Sequence, residues 1–312
     1  MNAEPTVTVA IPVLNEEAHI DACLDAVAAQ TYAGIIEVLL VDGGSTDATR
    51  EIVAGRPGVR LLENPRRMQA AALNIALDQA NGDVFVRVDG HCVIAPDYVA
   101  QCIEALELTG AAMVGGAMTP VAEMSLQRGI ASAMASKLGA GPARFHSGGT
   151  SGRVDTVYLG AYPTMLAREV GGYAEDVGVN EDAEFAIRMR ERGAVWFDET
   201  IRSTYVPRSS VRGVARQFYR YGRSRAATIR KHPASIAGRQ LAAPLLVLGL
   251  LSPRRRVVAG AYAAAVVAGC ARAVRKDFAA GAAMAAVIPT MHLSWGVGFL
   301  RGLVPLPRRS LR

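Results

Sequence analysis

Cysteine is scarce in this 312-residue sequence, and its spacing matches no metal or redox motif. No two of the four cysteines are separated as in a zinc site or a Cys-x-x-Cys pair. We therefore expect reduced, buried thiols, as in a cytosolic protein. The four are Cys23, Cys92, Cys102 and Cys270.

Two further motifs are missing near the N-terminus. The opening residues, MNAEPTVTVAIPVLNEE, have no basic cluster followed by a long apolar run, so a secretory signal peptide is not expected. The first apolar run ends in PVLNEE and a later turn reads DGGSTD. Neither fits the G-x-G-x-x-G fingerprint of dinucleotide-binding proteins, which disfavours a nicotinamide or flavin cofactor.

Positive charge is in excess, with a net charge of +6 and a pI near 9.3. No basic strand interleaved with aromatics and no DNA-reading helix is visible, so nucleic acid is not an expected partner. Basic groups beside apolar segments instead suit the anionic cytoplasmic leaflet of a membrane. These groups are Arg202–Lys231, Arg254–Arg256, Arg272–Lys276 and Arg308–Arg312.

Hydrophobic residues make up 51% of the chain but are unevenly distributed. We predict a globular domain over residues 1–232 and a helical, membrane-associated region over residues 233–312. Crossing a bilayer takes about 20 apolar residues, and only the last of three apolar stretches is long enough. A soluble helical domain is the alternative. The stretches are Leu241–Leu251, Val257–Ala271 and Phe278–Leu300.

Apolar runs and helical patterns alternate at close spacing through the first 115 or so residues, which predicts an α/β fold with a mainly parallel sheet flanked by helices. Ligands bind beyond the carboxyl ends of strands in such sheets. Polar residues follow three predicted strands at those ends: Asn15 and Glu16, then Asp42, then Asp89 and His91. Beyond Met118 the pattern weakens, and RFHSGGTSGR at 144–153 is predicted to be a mobile loop.

Each candidate site also has a purely structural interpretation. The Asp89–Gly90–His91 sequence fits a divalent metal site, with Mg²⁺ or Mn²⁺ as candidates, or a polar turn. Glu181 and Asp182 precede a helical pattern, so they are either an acidic helix start or a general base. QFYRY at 217–221 fits a helix lying on lipid or a diphosphate contact.

Five segments, taken in order, resemble glycosyltransferase family 2, whose members are inverting enzymes of the GT-A fold. They are VAIPVLNEE, LLVDGGSTDAT, the stretch ending in VRVDGH, GVNEDAEFAIRMRERG and QFYRY. VDGHCVI, VDTVYLGAYP and HLSWGVGFL are similar to the succinoglycan-type exopolysaccharide subgroup. His91 departs from the family's second aspartate, and Pro163 stands where many relatives have arginine.

The resemblance implies an inverting transfer of a sugar from a nucleoside-diphosphate sugar to a lipid-linked (polyprenyl) or cell-envelope glycan. The enzyme would work at the cytoplasmic face of the inner membrane, in contact with its lipids. Asp182, with Glu181 beside it, would be the catalytic base, and Asp89 and His91 would hold a divalent metal (Mn or Mg). The implied donor-binding residues are Pro12, Asn15, Glu16, Asp42, Asp89, Gln217 and Arg220. The alternatives are a non-catalytic nucleotide-sugar-binding subunit and another nucleotide-dependent α/β transferase.

Overall fold

A computed structural model describes residues 4–141 and 143–304 of the chain. By its contacts the chain divides into two compact units, each assembled from three segments. The first unit contains Met1–Val121, Ala143–Glu175 and Glu181–Val206; the second contains Ala122–Pro142, Asp176–Asn180 and Pro207–Arg312. The predicted domain boundary at residue 232 stays a prediction.

The first unit is built on one mixed sheet. Its strands, within the described residues, are β1 (Val7–Val13), β2 (Ile35–Asp42), β3 (Val59–Glu63), β4 (Val84–Arg87), β5 (Cys92–Ile94), β6 (Met113–Pro120), β7 (Gly152–Arg153), β8 (Tyr158–Pro163) and β9 (Val195–Tyr205). Their order is β3-β2-β1-β4-β8-β6-β9-β5, and β7 pairs with β9. The strands β1 to β4 are mutually parallel, β6 is parallel to β9, and β8 runs antiparallel between β4 and β6.

Helices cover both faces of the sheet or form the second unit. They are α1 (Ile20–Ala28), α2 (Thr49–Ala54), α3 (Gln69–Gln79), α4 (Tyr98–Thr109), α5 (Ser125–Ala135), α6 (Arg144–Ser147), α7 (Thr164–Glu169), α8 (Glu181–Arg190), α9 (Val211–Lys231), α10 (Ala242–Leu251), α11 (Arg255–Lys276) and α12 (Phe278–Leu303). Two short 3₁₀ turns, Pro233–Ser235 and Gly238–Leu241, separate α9 from α10.

Alternation along β1 explains why the sheet is covered on both faces. Val9 and Ile11 enter one apolar cluster, shared with α1 and α4, whereas Ala10 enters another, shared with α3 and α8. Successive side chains of a strand point to opposite faces, so a strand buried on both sides reads as a continuous apolar run. Pro12 is tolerated in this central strand because β4 stops pairing with β1 at Ala10, so no ladder bond needs its missing N–H.

The second unit is helical, and its helices meet at glycines. A Cβ atom at Gly222 of α9 would overlap the carbonyl oxygen of Trp295 on α12. A Cβ atom at Gly298 of α12 would likewise overlap the carbonyl oxygen of Tyr219. The two backbones therefore touch directly, an approach that only glycine permits.

Two described helices of this unit, α11 and α12, are long and apolar enough to cross a membrane, by length and composition alone. Most of α11 is exposed, whereas more of α12 is buried within the unit. His292 of α12 contacts both α11 and the segment that follows α5. Its Nδ1 lies 2.8 Å from the Tyr262 hydroxyl of α11, and its Nε2 lies 2.7 Å from the Leu138 carbonyl oxygen.

The structure confirms the predicted α/β class with a mainly parallel sheet and apolar C-terminal helices. Two sequence expectations were wrong. The second tail stretch is not too short to span, because α11 continues through its flanking arginines to 22 residues. The predicted loop at 144–153 is irregular only at 148–151, because α6 and β7 occupy its two ends. The predicted basic cluster Arg308–Arg312 lies outside the described residues.

Candidate active site

The loop after β1 is fixed by side chains from the turn that follows β2. Asn15 adopts a left-handed conformation, with φ of 57°, and its Oδ1 accepts a 2.8 Å bond from the Thr46 N–H. The Asn15 N–H in turn donates to the Ser45 Oγ, and the Glu16 N–H donates to the Thr49 Oγ1. Asparagine tolerates this backbone region better than most residues. The two loop ends predicted to line the donor pocket are therefore locked together.

Asp42 ends β2, and its side chain is fully buried. One carboxylate oxygen accepts bonds from the Gly44 N–H (3.1 Å) and the Arg50 guanidinium (3.0 Å). The other accepts a 2.5 Å bond from the Ser45 hydroxyl. All of these donors lie within eight residues of Asp42, so its charge is balanced by its own turn. Its direct contact with a nucleotide stays a prediction.

Asp89 lies two residues beyond β4 and is bound by a buried arginine. The Arg87 Nε donates to Asp89 Oδ1 at 2.9 Å, and the Gln69 Nε2 donates to the same oxygen at 3.1 Å. Burial alone would raise the pKa of Asp89, but the charge of Arg87, together with hydrogen bonds from Arg87 and Gln69, holds that pKa below its usual range. Asp89 is therefore ionised although it is buried.

Arg87 also reaches an acid that is 94 residues away in the chain. Its Nη1 donates to the Glu181 Oε1 at 3.2 Å, and both side chains are almost fully buried. Burial raises the pKa of Glu181 to about 7; Arg87 opposes that shift and the neighbouring Asp182 adds to it. One guanidinium therefore joins the residues predicted for metal binding to those predicted for catalysis.

Asp182 is the more accessible of the two acids that open α8. Its Oδ1 accepts a 2.8 Å bond from the Ala183 N–H at the helix N-terminus, a position that favours negative charge. Burial nevertheless raises the pKa of Asp182, and Arg87 only partly opposes that rise. A half-buried carboxylate with a raised pKa is suited to accept a proton.

His91 pairs with Glu16 rather than lying isolated: its Nδ1 is 3.0 Å from the Glu16 Oε1. No group of three or more metal-binding side chains occurs among the described residues. Asp89 and His91 offer a carboxylate and an imidazole, both of which are ligand types for a divalent cation, and their binding of a metal stays a prediction. Mg²⁺ sites use one or two carboxylates completed by substrate phosphates, and an imidazole shifts the preference toward Mn²⁺.

The remaining predicted donor-binding residues are placed differently. Pro12 is buried in β1, and its carbonyl oxygen faces the position that a Cβ atom of Gly90 would occupy. Gln217 and Arg220 lie on α9, in the second unit, where the Gln217 Nε2 donates to the Tyr221 hydroxyl at 2.7 Å. Their role at the donor stays a prediction.

Sequence reasoning missed Arg87 and Gln69 as members of the site. Arg87 is a charged residue inside a buried strand, and such a residue needs charged partners to be stable there. That signal was available, because Arg87 is the only charged residue in the run from Val84 to Val88. The identity of the partners was not available, since Glu181 is distant in the chain.

Comparison with known proteins identifies the family. The model described as Glycosyl transferase family 2 matches residues 8–170. The succinoglycan biosynthesis protein ExoA of Rhizobium meliloti (strain 1021) is 33% identical over 96% of this chain and 96% of its own length. A dolichyl N-acetyl-alpha-D-glucosaminyl phosphate 3-beta-D-2,3-diacetamido-2,3-dideoxy-beta-D-glucuronosyltransferase of Methanococcus voltae is 28% identical, over 72% of this chain and 74% of its own.

Among solved structures, the mannosyltransferase PcManGT from Pyrobaculum calidifontis, in complex with GDP-Man and Mn²⁺, superposes with a TM-score of 0.64. The alignment covers 97% of this chain and 88% of that one at 23% identity. At this identity the likeness establishes the fold.

Proposed function

The chain belongs to glycosyltransferase family 2 and has its GT-A fold, and we propose that it transfers a sugar from a nucleoside-diphosphate sugar to a glycan acceptor with inversion. The observation that carries this proposal is the buried Arg87, which holds Asp89 and Glu181 on its two sides. A donor site and a proton acceptor are then parts of one rigid network at the carboxyl ends of parallel strands.

Asp182 is the proposed base. In an inverting transfer, the acceptor hydroxyl forms the new C–O bond at the anomeric carbon as the bond to the diphosphate breaks. The hydroxyl proton passes to a carboxylate, and Asp182, which is less buried than Glu181, suits this step. Glu181 is held by Arg87 and so keeps a fixed place beside the base.

The donor is proposed to bind along Pro12, Asn15, Glu16 and Asp89, with Asp42 holding the turn at 43–46 in shape. Asp89 and His91 would hold Mn²⁺ or Mg²⁺. Such an ion supplies positive charge to the departing diphosphate. Gln217 and Arg220 are proposed as additional contacts to the diphosphate or the acceptor.

The acceptor is proposed to be a lipid-linked or cell-envelope glycan, handled at the cytoplasmic face of the inner membrane. The succinoglycan biosynthesis protein from Rhizobium meliloti supports a role in polysaccharide assembly. The two long apolar helices, α11 and α12, support membrane association. Arg254–Arg256, at the start of α11, are proposed to contact anionic lipid head groups.

The test is a panel of nucleoside-diphosphate sugars with the purified full-length protein, with Mn²⁺, Mg²⁺ or chelator. We expect one donor to be consumed in a metal-dependent way, with release of the nucleoside diphosphate and inversion at the anomeric carbon on an isoprenoid-linked acceptor. NMR of the product gives that configuration. Donor binding without turnover on any acceptor would instead indicate a non-catalytic subunit.

A further inference from the structure

Residues 176–180, which we name the strap, are fastened to α9. The Ser224 hydroxyl donates to the Val177 carbonyl oxygen at 2.6 Å and also contacts the carbonyl oxygen of Val179. Ser224 is buried, so these oxygens lack easy access to water as an alternative partner. At the far end of α9, the Lys231 Nζ pairs with Asp176 at 2.6 Å.

The strap leads directly into α8. Gly178 and Asn180 both have positive φ, of 85° and 63°, and Val177 is buried. The next residue after Asn180 is Glu181, and Asp182 follows. A displacement of the strap is therefore transmitted along the chain to the start of α8 within one or two peptide units.

From this arrangement we infer that Ser224 is a positioning residue for the reaction. It holds the strap on α9 and thereby fixes the positions of Glu181 and Asp182 at the start of α8. Within the second unit, α9 in turn packs on α12 through direct backbone contact at Gly222. This inference rests on the proposed function of Asp182, but the fastening itself can be measured without any activity.

The decisive variant is Ser224→Ala, compared with Thr228→Val. Thr228 is also buried on α9, one turn later, but its hydroxyl bonds only to the Ser224 carbonyl of its own helix, at 3.2 Å. Both changes remove one buried hydroxyl, and only the first releases the strap. We expect amide hydrogen exchange at residues 177–183 to rise about tenfold in Ser224→Ala and to stay unchanged in Thr228→Val, the factor expected for one buried hydrogen bond.

In kinetic measurements, Ser224→Ala is expected to change kcat but not KM. Ser224→Ala should lower kcat about tenfold, leave KM for the donor unchanged, and shift the acid limb of the pH–rate profile, because Asp182 is misplaced while the donor site is intact. Ser224→Thr, which keeps the hydroxyl, should restore most of kcat. If Ser224→Ala proves too unstable to purify, the exposed Lys231→Gln change releases the other end of the strap, and a smaller change in the same direction is expected.

Three results would overturn the inference: unchanged exchange at 177–183, increased exchange that stops before Glu181, or full kcat in Ser224→Ala despite increased exchange. If the wild-type protein turns over no donor, the proposed function fails. Exchange at Glu181, Asp182 and Ala183 then decides by itself whether Ser224 positions the start of α8.

Discussion

Asp42 and Asp89 occupy equivalent places, each at or just beyond the carboxyl end of a parallel strand, yet they are stabilised in opposite ways. Asp42 is bound by the amides and hydroxyl of its own turn and by Arg50, which is half-buried. Asp89 is bound by the buried Arg87, which also holds Glu181. The first acid shapes a loop, whereas the second belongs to a network that joins distant segments.

This difference explains why position in the sheet alone does not assign a role. Both carboxylates accept several hydrogen bonds, Asp42 from its own turn and Arg50, and Asp89 from Arg87 and Gln69, so what separates them is where their donors lie in the chain. Burial raises and Arg87 lowers the pKa of both Asp89 and Glu181; burial prevails at Glu181, whereas the pKa of Asp89 is held below its usual range.

The largest effect is expected at the base. Asp182→Asn should reduce kcat about a thousandfold, because the side chain keeps its shape but can no longer accept the proton. Asp97→Asn, at an exposed aspartate, is the matched control and should retain activity. Donor binding measured by calorimetry should be nearly unchanged in both proteins. Retention of a tenth or more of wild-type kcat would exclude Asp182 as the base.

The second-largest effect is expected at Arg87, the buried partner of Asp89. Arg87→Met should destabilise the protein by about 3–5 kcal/mol, because Asp89 and Glu181 would remain buried without their cation. Arg50→Met should change stability far less, since Arg50 is only half-buried and its partner Asp42 keeps its amide donors. Urea unfolding of the two proteins in the same detergent measures the contrast. Equal midpoints would mean that the two sites do not differ as described.

A smaller effect is expected in the pH dependence of stability. The pKa of Glu181 rises from 4.5 to about 7 on folding, so the folded state binds more protons than the unfolded state between those values. The contribution of Glu181 to stability is present below pH 4.5 and is lost as pH rises toward 7. Glu181→Gln should flatten this slope in unfolding curves taken from pH 4.5 to 7.5. An unchanged slope would assign the titration to another group.

The smallest effect is expected at Asp42. Asp42→Asn keeps an acceptor for the Gly44 and Ser45 amides and loses mainly the ion pair with Arg50, so KM for the donor should rise less than about tenfold. Ser45→Ala, which removes the hydroxyl donor, should behave similarly. An increase above about a hundredfold in Asp42→Asn would show that this carboxylate binds the donor directly.

Local chemistry allowed part of this molecule to be predicted from its sequence. The apolar strand at Val7–Val13 and the basic helix at Val211–Lys231 were recognisable because their patterns need no distant partner. The long strand β9 was missed, since its DETIR stretch interrupts the apolar pattern, and its pairing with β5, β6 and β7 supplies what the sequence lacks. The order of acids along the chain indicated a site, but only the fold shows that Arg87 connects them.

The glycines at the crossing of α9 and α12 bear on how a mutational scan of this enzyme is to be interpreted. Any side chain at Gly222 or Gly298 meets a backbone oxygen of the facing helix, so every substitution there should be depleted in a selection for activity. Positions at which no substitution is tolerated are usually taken to mark substrate contacts. Here they would report the spacing between two helix axes, and only a compensating change on the opposite helix would distinguish the two causes.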